Sequence, residues 1–258
     1  MRPFRVTVCE LPDDRVAFMR EWTQLADHVR ACRSELVVLP EMPFAPWCAA
    51  SAKYEQQSWD EAVVWHAEWL DRLPELSPAA IISSRPVSRG RRRFNEGFVW
   101  SDAGYRAVHD KRFLPDEDGY WEAHWYERGD GAFDVFEAAG ARVGLLICTE
   151  LWSFAHAQAY GAAGAEIVAT PRATGRQTVE KWITGGRAAA IVSGAYSISS
   201  NWSAGADGGD FGGVGWIIDH DGRALVRTSA REPCVTATID LDAATAARAT
   251  YPRYALES

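Results

Sequence analysis

The apolar positions of the chain fall into two kinds of run. Short continuous stretches, rich in β-branched and aromatic residues and bounded by turn-forming ones, read as strands, several of them buried on both faces. They are Phe4–Cys9, Glu35–Leu39, Ala79–Ser84, Phe94–Trp100, Tyr105–His109, Val143–Ile147, Glu166–Thr170, Ala195–Ser200, Val214–Asp219, Ala224–Arg227 and Val235–Ile239. Longer stretches with a 3.6-residue period predict helices over Arg15–Cys32, Trp59–Leu73, Trp152–Ala163 and Thr178–Val192. Strand–helix–strand alternation in Phe4–Leu39 and Val143–Thr170 implies crossovers and parallel pairing. The turns "SDAG" (Ser101–Gly104) and "DHDG" (Asp219–Gly222) join neighbouring strands as antiparallel hairpins. Mixed sheets covered by helices satisfy both signals. No Pro/Gly/Ser linker, low-complexity tract or charge block divides residues 1–258, so the expectation is one domain.

Composition narrows the function classes. A net charge of −8 argues against nucleic acid or an anionic membrane as the main partner. No apolar run approaches the roughly 18 residues needed to span a bilayer, and "MRPFRVTVCELPDD" turns acidic too early for a secretory segment. Five cysteines (Cys9, Cys32, Cys48, Cys148 and Cys234) are an odd number without metal-type spacing, which fits reduced thiols in a cytoplasm. The six histidines show no ligand spacing, so no metal is expected.

Chemistry enters at the strand ends, because ligands of α/β sheets bind beyond the carboxyl ends of strands. "ELVVLPEMPF" puts Glu41 two residues past a buried strand, "YRAVHDKRFLP" puts Lys111 just past another, and "VGLLICTELW" puts Cys148 at the exit of a third. Alone, a cysteine is most often a small buried hydrophobe, and the glutamate and lysine an ordinary cap and a solvated cation. Together they make a workable set. A thiol needs a base or a nearby cation to become a thiolate, and a developing oxyanion needs fixed donors.

These stretches carry a resemblance. "VVLPEMPF", "DKRFLPDEDGYWEAHWYERGD" and "VGLLICTELWSFAHAQAYGAAGAEIVATPRA" resemble, in order and spacing, the three signature regions of the nitrilase or carbon–nitrogen hydrolase superfamily. "FGGVGWIIDHDGRAL" resembles its later glycine-rich strand and hairpin. The resemblance implies an α/β fold, a four-layer αββα sandwich, whose dimers or higher homo-oligomers stack further. It also implies cofactor-free hydrolysis of non-peptide C–N bonds through a thioester. By the same resemblance Cys148 is the nucleophile, Glu41 the base and Lys111 an oxyanion stabiliser. The Thr149 backbone N–H is a second oxyanion donor, and Glu122 positions Lys111 and substrate.

Three departures set the chain apart. Thr149-Glu150 follows the cysteine where nitrilases carry Trp-Glu and amidases Tyr-Asp. Val192-Ser193 replaces the family's charged pair in "RAAAIVSGAY", and Gly215 stands at the usual serine. The expected substrate is a small amide or N-carbamoyl compound. A small nitrile, acyl transfer to an amine, and a catalytically silent binding or scaffold member are the alternatives. Trp47, Trp121, Trp125, Trp152 and Trp202 follow catalytic-side strands, either as ordinary packing or as an aromatic pocket wall. Arg172 and Arg176, in "ATPRATGR", are candidates for clamping a substrate carboxylate.

Overall fold

The computed structural model describes residues 1–204 and 210–256. Strand β1 (Pro3–Pro12) leads into helix α1 (Arg15–Cys32), whose bounds coincide with the sequence expectation. Both ends of α1 are set locally. Asp14 caps it by accepting from the Ala17 N–H at 2.7 Å, and Arg33 closes it in the left-handed conformation. Phe18, Trp22, Leu25, Ala26 and Val29 recur at helical spacing, and all are buried on one face.

There follow β2 (Leu36–Val38), α2 (Gln56–Leu70), β3 (Ala80–Arg89), β4 (Arg92–Ser101) and β5 (Gly104–Asp110). Next come α3 (Glu122–Trp125), β6 (Phe136–Ala138), β7 (Ala141–Leu145), α4 (Phe154–Ala162), β8 (Ile167–Arg172) and α5 (Val179–Ser193). The chain then forms β9 (Tyr196–Ser203), β10 (Trp216–Ile218), β11 (Ala224–Arg227), β12 (Cys234–Asp240), α6 (Leu241–Ala247) and α7 (Arg253–Leu256). Both expected hairpins are present, β4–β5 closing at Ser101 opposite Gly104 and β10 pairing antiparallel with β11.

β1 is shared between two sheets. Its first part, Pro3–Cys9, pairs antiparallel with β12, and Val6–Val8 pair in parallel with β2. Its last part, Glu10–Pro12, pairs in parallel with β9. One sheet therefore runs β12-β1-β2-β3-β4-β5, and the other continues β9-β8-β7-β6 with β10 and β11 beside β9. Strand alternation assigns the faces. Phe4, Val6, Leu36, Val38 and Ile82 of the first sheet share a buried cluster with Val143, Leu145, Ile167, Ala169 and Ile198 of the second. The alternate residues Leu11, Val37, Leu39, Ile81 and Phe98 face outward against α1. On the second sheet Leu146, Val168, Trp216 and Ile218 pack against Ala157 and Tyr160 of α4 and Ile183 and Ala189 of α5. The layers are helix, sheet, sheet, helix, the expected four-layer α/β sandwich.

Gly144 shows how close the outer layer lies. A Cβ there would sit 2.4 Å from the Tyr160 ring. Among the described residues no helix is long and apolar enough to cross a membrane.

Candidate active site

Glu41, Lys111 and Cys148 each lie just beyond a strand, and the paired sheets bring those ends together. Glu41 leaves β2 through Pro40. Its N–H donates to the carbonyl of Arg172, the last residue of β8, at 3.3 Å, and its carbonyl accepts from Trp202 Nε1 at 2.6 Å. Glu41 is thus pinned to the second sheet. Lys111 follows β5 and is held from β4, its N–H donating to the Asn95 carbonyl at 2.9 Å.

The side chains converge in a dry cluster. Glu41, Lys111 and Glu122 are 0, 0 and 1% exposed. Lys111 Nζ donates to Glu41 Oε1 at 2.7 Å and to Glu122 Oε1 and Oε2 at 2.8 and 2.6 Å. Asn95 Nδ2 donates to the same Glu41 oxygen at 2.8 Å, and the Tyr126 hydroxyl donates to Glu122. Burial pushes the Lys111 ammonium down, but Glu122 and then Glu41 outweigh it and hold the pKa above its ordinary value. Burial raises the Glu122 carboxyl, Lys111 opposes this, and Glu41 adds to the rise. Among the described residues, buried Glu41 Oε2 has no hydrogen-bond partner. Such an atom costs free energy in a resting structure, and it gives the cluster one free proton acceptor.

Cys148 starts a 3-10 turn, Cys148–Trp152, and sits at φ 47°, rare for a residue with a side chain. Met42, next to Glu41, is at φ 44°. Strain of this kind persists only where the surroundings over-determine the backbone, and it clusters at functional sites. The thiol is 3% exposed, with Sγ 3.9 Å from the Ala173 carbonyl oxygen. Burial, then Glu41, push its pKa well above the ordinary thiol value, with Lys111 pulling the other way. At neutral pH it is a neutral thiol that needs a base. The Thr149 N–H belongs to the first turn, where helical N–H groups have no partner within the helix.

Cys148, Thr149 and Glu122 line a cavity of about 680 Å³. Trp152 and Arg176 of the expected pocket residues line it too, joined by Tyr120 and Trp182. The other candidates lie elsewhere. Trp47 and Trp125 line a separate cleft of about 330 Å³, Trp121 packs against the same aromatic cluster, and Trp202 is buried against Glu41. Arg172 is not at the cavity. Its guanidinium is 1% exposed, and it donates to Ser199 Oγ at 2.7 Å, Thr174 Oγ1 at 2.8 Å and the Val214 carbonyl at 2.7 Å. The Trp216 ring lies 4.0 Å from it. These acceptors turn it inward, so of the two arginines only Arg176 is placed to meet a ligand.

Asn95, Tyr126, His109 and Glu150 were not picked out from the sequence. Glu150 Oε1 accepts from the Arg112 N–H at 2.6 Å and Oε2 from the Ile147 N–H at 2.8 Å. His109 Nε2 lies 2.9 Å from both oxygens. The one signal was the departure at Thr149-Glu150.

Known proteins share this arrangement of elements. A carbon–nitrogen hydrolase from Helicobacter pylori superposes with a TM-score of 0.87 at 21% identity, covering 98% of this chain and 95% of that one. An amidase from Nesterenkonia sp., solved with the acetamide moiety of fluoroacetamide covalently added at its active-site cysteine, gives 0.73 at 17% identity over 98 and 96%. In sequence, N-carbamoylputrescine amidase of Solanum lycopersicum is 34% identical over 70 residues, 27% of this chain. That match takes in 23% of the relative's length. The family model for carbon-nitrogen hydrolase matches residues 5–249, and the chain belongs to that family.

Proposed function

We propose that the protein hydrolyses the C–N bond of a small amide or N-carbamoyl compound through a thioester on Cys148. The observation that carries this reading is the state of Glu41. One of its carboxylate oxygens is anchored by Asn95 and Lys111, and the other is buried and, among the described residues, unpartnered. It lies in the electrostatic neighbourhood of a thiol that burial keeps neutral.

Glu41 Oε2 takes the Cys148 proton as Sγ attacks the substrate carbonyl. The carbonyl oxygen becomes an oxyanion, held by Lys111 and by the Thr149 N–H. One Lys111 N–H shared between the two Glu122 oxygens leaves a proton of the ammonium for that oxyanion. As the C–N bond breaks, the nitrogen takes the proton from Glu41 and departs as ammonia or amine. Water then gives a proton to Glu41 and attacks the thioester, the C–S bond breaks, and Cys148 recovers its proton. Glu122 keeps Lys111 charged and aimed. Trp152, Trp182 and Tyr120 form the walls, and the charged side chains Glu117, Asp118, Asp210, Arg176 and Lys181 line the same cavity. A substrate with a charged group distant from the scissile bond fits such a lining.

A panel of small amides, N-carbamoyl compounds and nitriles, read by product release and intact-protein mass, tests the proposal. Cys148→Ala and Glu41→Gln should each lower turnover at least about a thousandfold, and wild-type protein should carry an acyl adduct mapped to Cys148. Turnover surviving in Cys148→Ala would sink the mechanism. Reaction with nitriles alone would overturn the substrate class.

A further inference from the structure

Glu150 sits between the two catalytic loops and touches neither the cavity nor the cluster around Lys111. Its carboxylate is fully buried, and it accepts from two backbone N–H groups, that of Arg112, next after Lys111, and that of Ile147, just before Cys148. The loop carrying the cation and the turn carrying the nucleophile are thereby tied to one carboxylate. The remaining contact is His109, the penultimate residue of β5. Its Nδ1 lies 2.9 Å from the Ala132 carbonyl oxygen, which can only accept, and its Nε2 lies 2.9 Å from both Glu150 oxygens. Both ring nitrogens face acceptors, so both donate and the ring is an imidazolium.

We propose that His109 and Glu150 form a charged clamp that fixes Lys111 relative to Cys148, acting as positioning residues for the reaction. This rests on the active-site reading above. The strained backbone of Cys148 supplies the need, since a φ of 47° relaxes unless something holds it. Two N–H groups bound to one buried charge are such a hold, because charge-assisted bonds are the stronger kind.

The surroundings define when the clamp is charged. Burial lowers the His109 pKa, but the Glu150 hydrogen bond and charge, then the Ala132 carbonyl and Asp110, raise it above its ordinary value. Phe133 packs on the His109 ring at 4.7 Å, and His156 of α4 stacks on Phe133 at 3.7 Å. Tyr160 of α4, also within reach of the Glu150 charge, donates its hydroxyl to Leu145. A histidine whose folded pKa is raised supplies its contribution below the unfolded pKa. That contribution is lost as pH rises through the folded pKa. The clamp therefore loosens on the alkaline side.

The test uses iodoacetamide on the full chain, with alkylation of Cys148 and of the remote Cys32 read separately by peptide mass. Glu150→Gln and His109→Gln should slow Cys148 alkylation at pH 7 at least about tenfold relative to Cys32. His109→Gln should also flatten the alkaline fall in turnover per titrated Cys148. A purely structural role would lower the melting temperature and leave the Cys148-to-Cys32 ratio and the pH profile unchanged, and that result would overturn the clamp. Should Glu150→Gln fail to fold, His109→Gln and His109→Phe decide by the same ratio. Alkylation needs no substrate, so wild-type inactivity on every amide would count against the hydrolase reading and leave this test standing.

Discussion

Among the described residues no carboxylate lies in hydrogen-bonding reach of the buried Arg172 guanidinium, and three neutral oxygens and an indole face carry it. Burial lowers its pKa to about 9, so it remains charged at neutral pH. Its acceptors lie on Thr174 just past β8, on Ser199 of β9 and on the Val214 backbone, which makes it a brace for the segment facing Cys148. Arg172→Lys keeps the charge but loses the planar fork, leaving a buried ammonium short of partners. A cost of about 2–4 kcal/mol is expected in urea unfolding, with the ranking of acidic and neutral substrates unchanged. A changed ranking would return Arg172 to substrate binding. Glu41, Lys111 and Cys148 were legible as candidates because each lies within a few residues of a strand's carboxyl end, β2 and β7 being largely buried and β5 largely not, so a local pattern names its place. Asn95 was not. It lies mid-strand in β4, and its importance comes from the register that sets its carbonyl against Lys111 and its amide against Glu41. No local pattern encodes that.

Elements were readable in proportion to how local their causes are. α1 has its cap, its apolar face and its stop within its own residues, and its bounds were found. β3 runs on to Arg89, past the expected end at Ser84, because the hairpin with β4 pairs Arg85–Arg89 in register despite Pro86. β6 is three residues long and exists through its pairing with β7, which no periodicity reports. Helix crossings are equally silent. Gly161 of α4 meets α5 so closely that a Cβ would lie 2.1 Å from the Ser193 carbonyl oxygen. Two effects of Gly161→Ala oppose each other. Alanine favours the helix by about 0.5–1 kcal/mol, whereas forcing the backbones apart costs about 1–3 kcal/mol. Because the obstacle is backbone, packing should win. The variant should melt lower by several degrees, as calorimetry would show, and a rise in melting temperature would mean that α4 and α5 separate freely.

At the scale of the molecule the site exists because β1 crosses from one sheet to the other. This joins the sheet bearing Glu41 and Lys111 to the one bearing Cys148. Periodicity predicted the strands and the mixed pairing. Which strand ends would meet came only from the resemblance, since alternation does not say which sheet faces which. The net charge of −8 likewise hides a local division. Glu117 and Asp118 enter the cavity from the loop after β5, and Arg176 and Lys181 from the start of α5 and the turn before it, with Asp210 next to Arg176. If the second wall receives a substrate carboxylate, Lys181→Glu should weaken substrates with a distal carboxylate and favour those with a distal amine. Lys181 is exposed, so the contact is worth about 1 kcal/mol, or about fivefold in kcat/KM for each class, in opposite directions. The shift should shrink with added salt, because the screening length falls from about 8 Å at physiological ionic strength to about 3 Å at 1 M. Neutral amides should be unaffected. Steady-state kinetics on matched acidic, basic and neutral amides at two salt concentrations checks this. Equal changes across the three would show that Lys181 shapes the mouth and does not read the charge of what enters it.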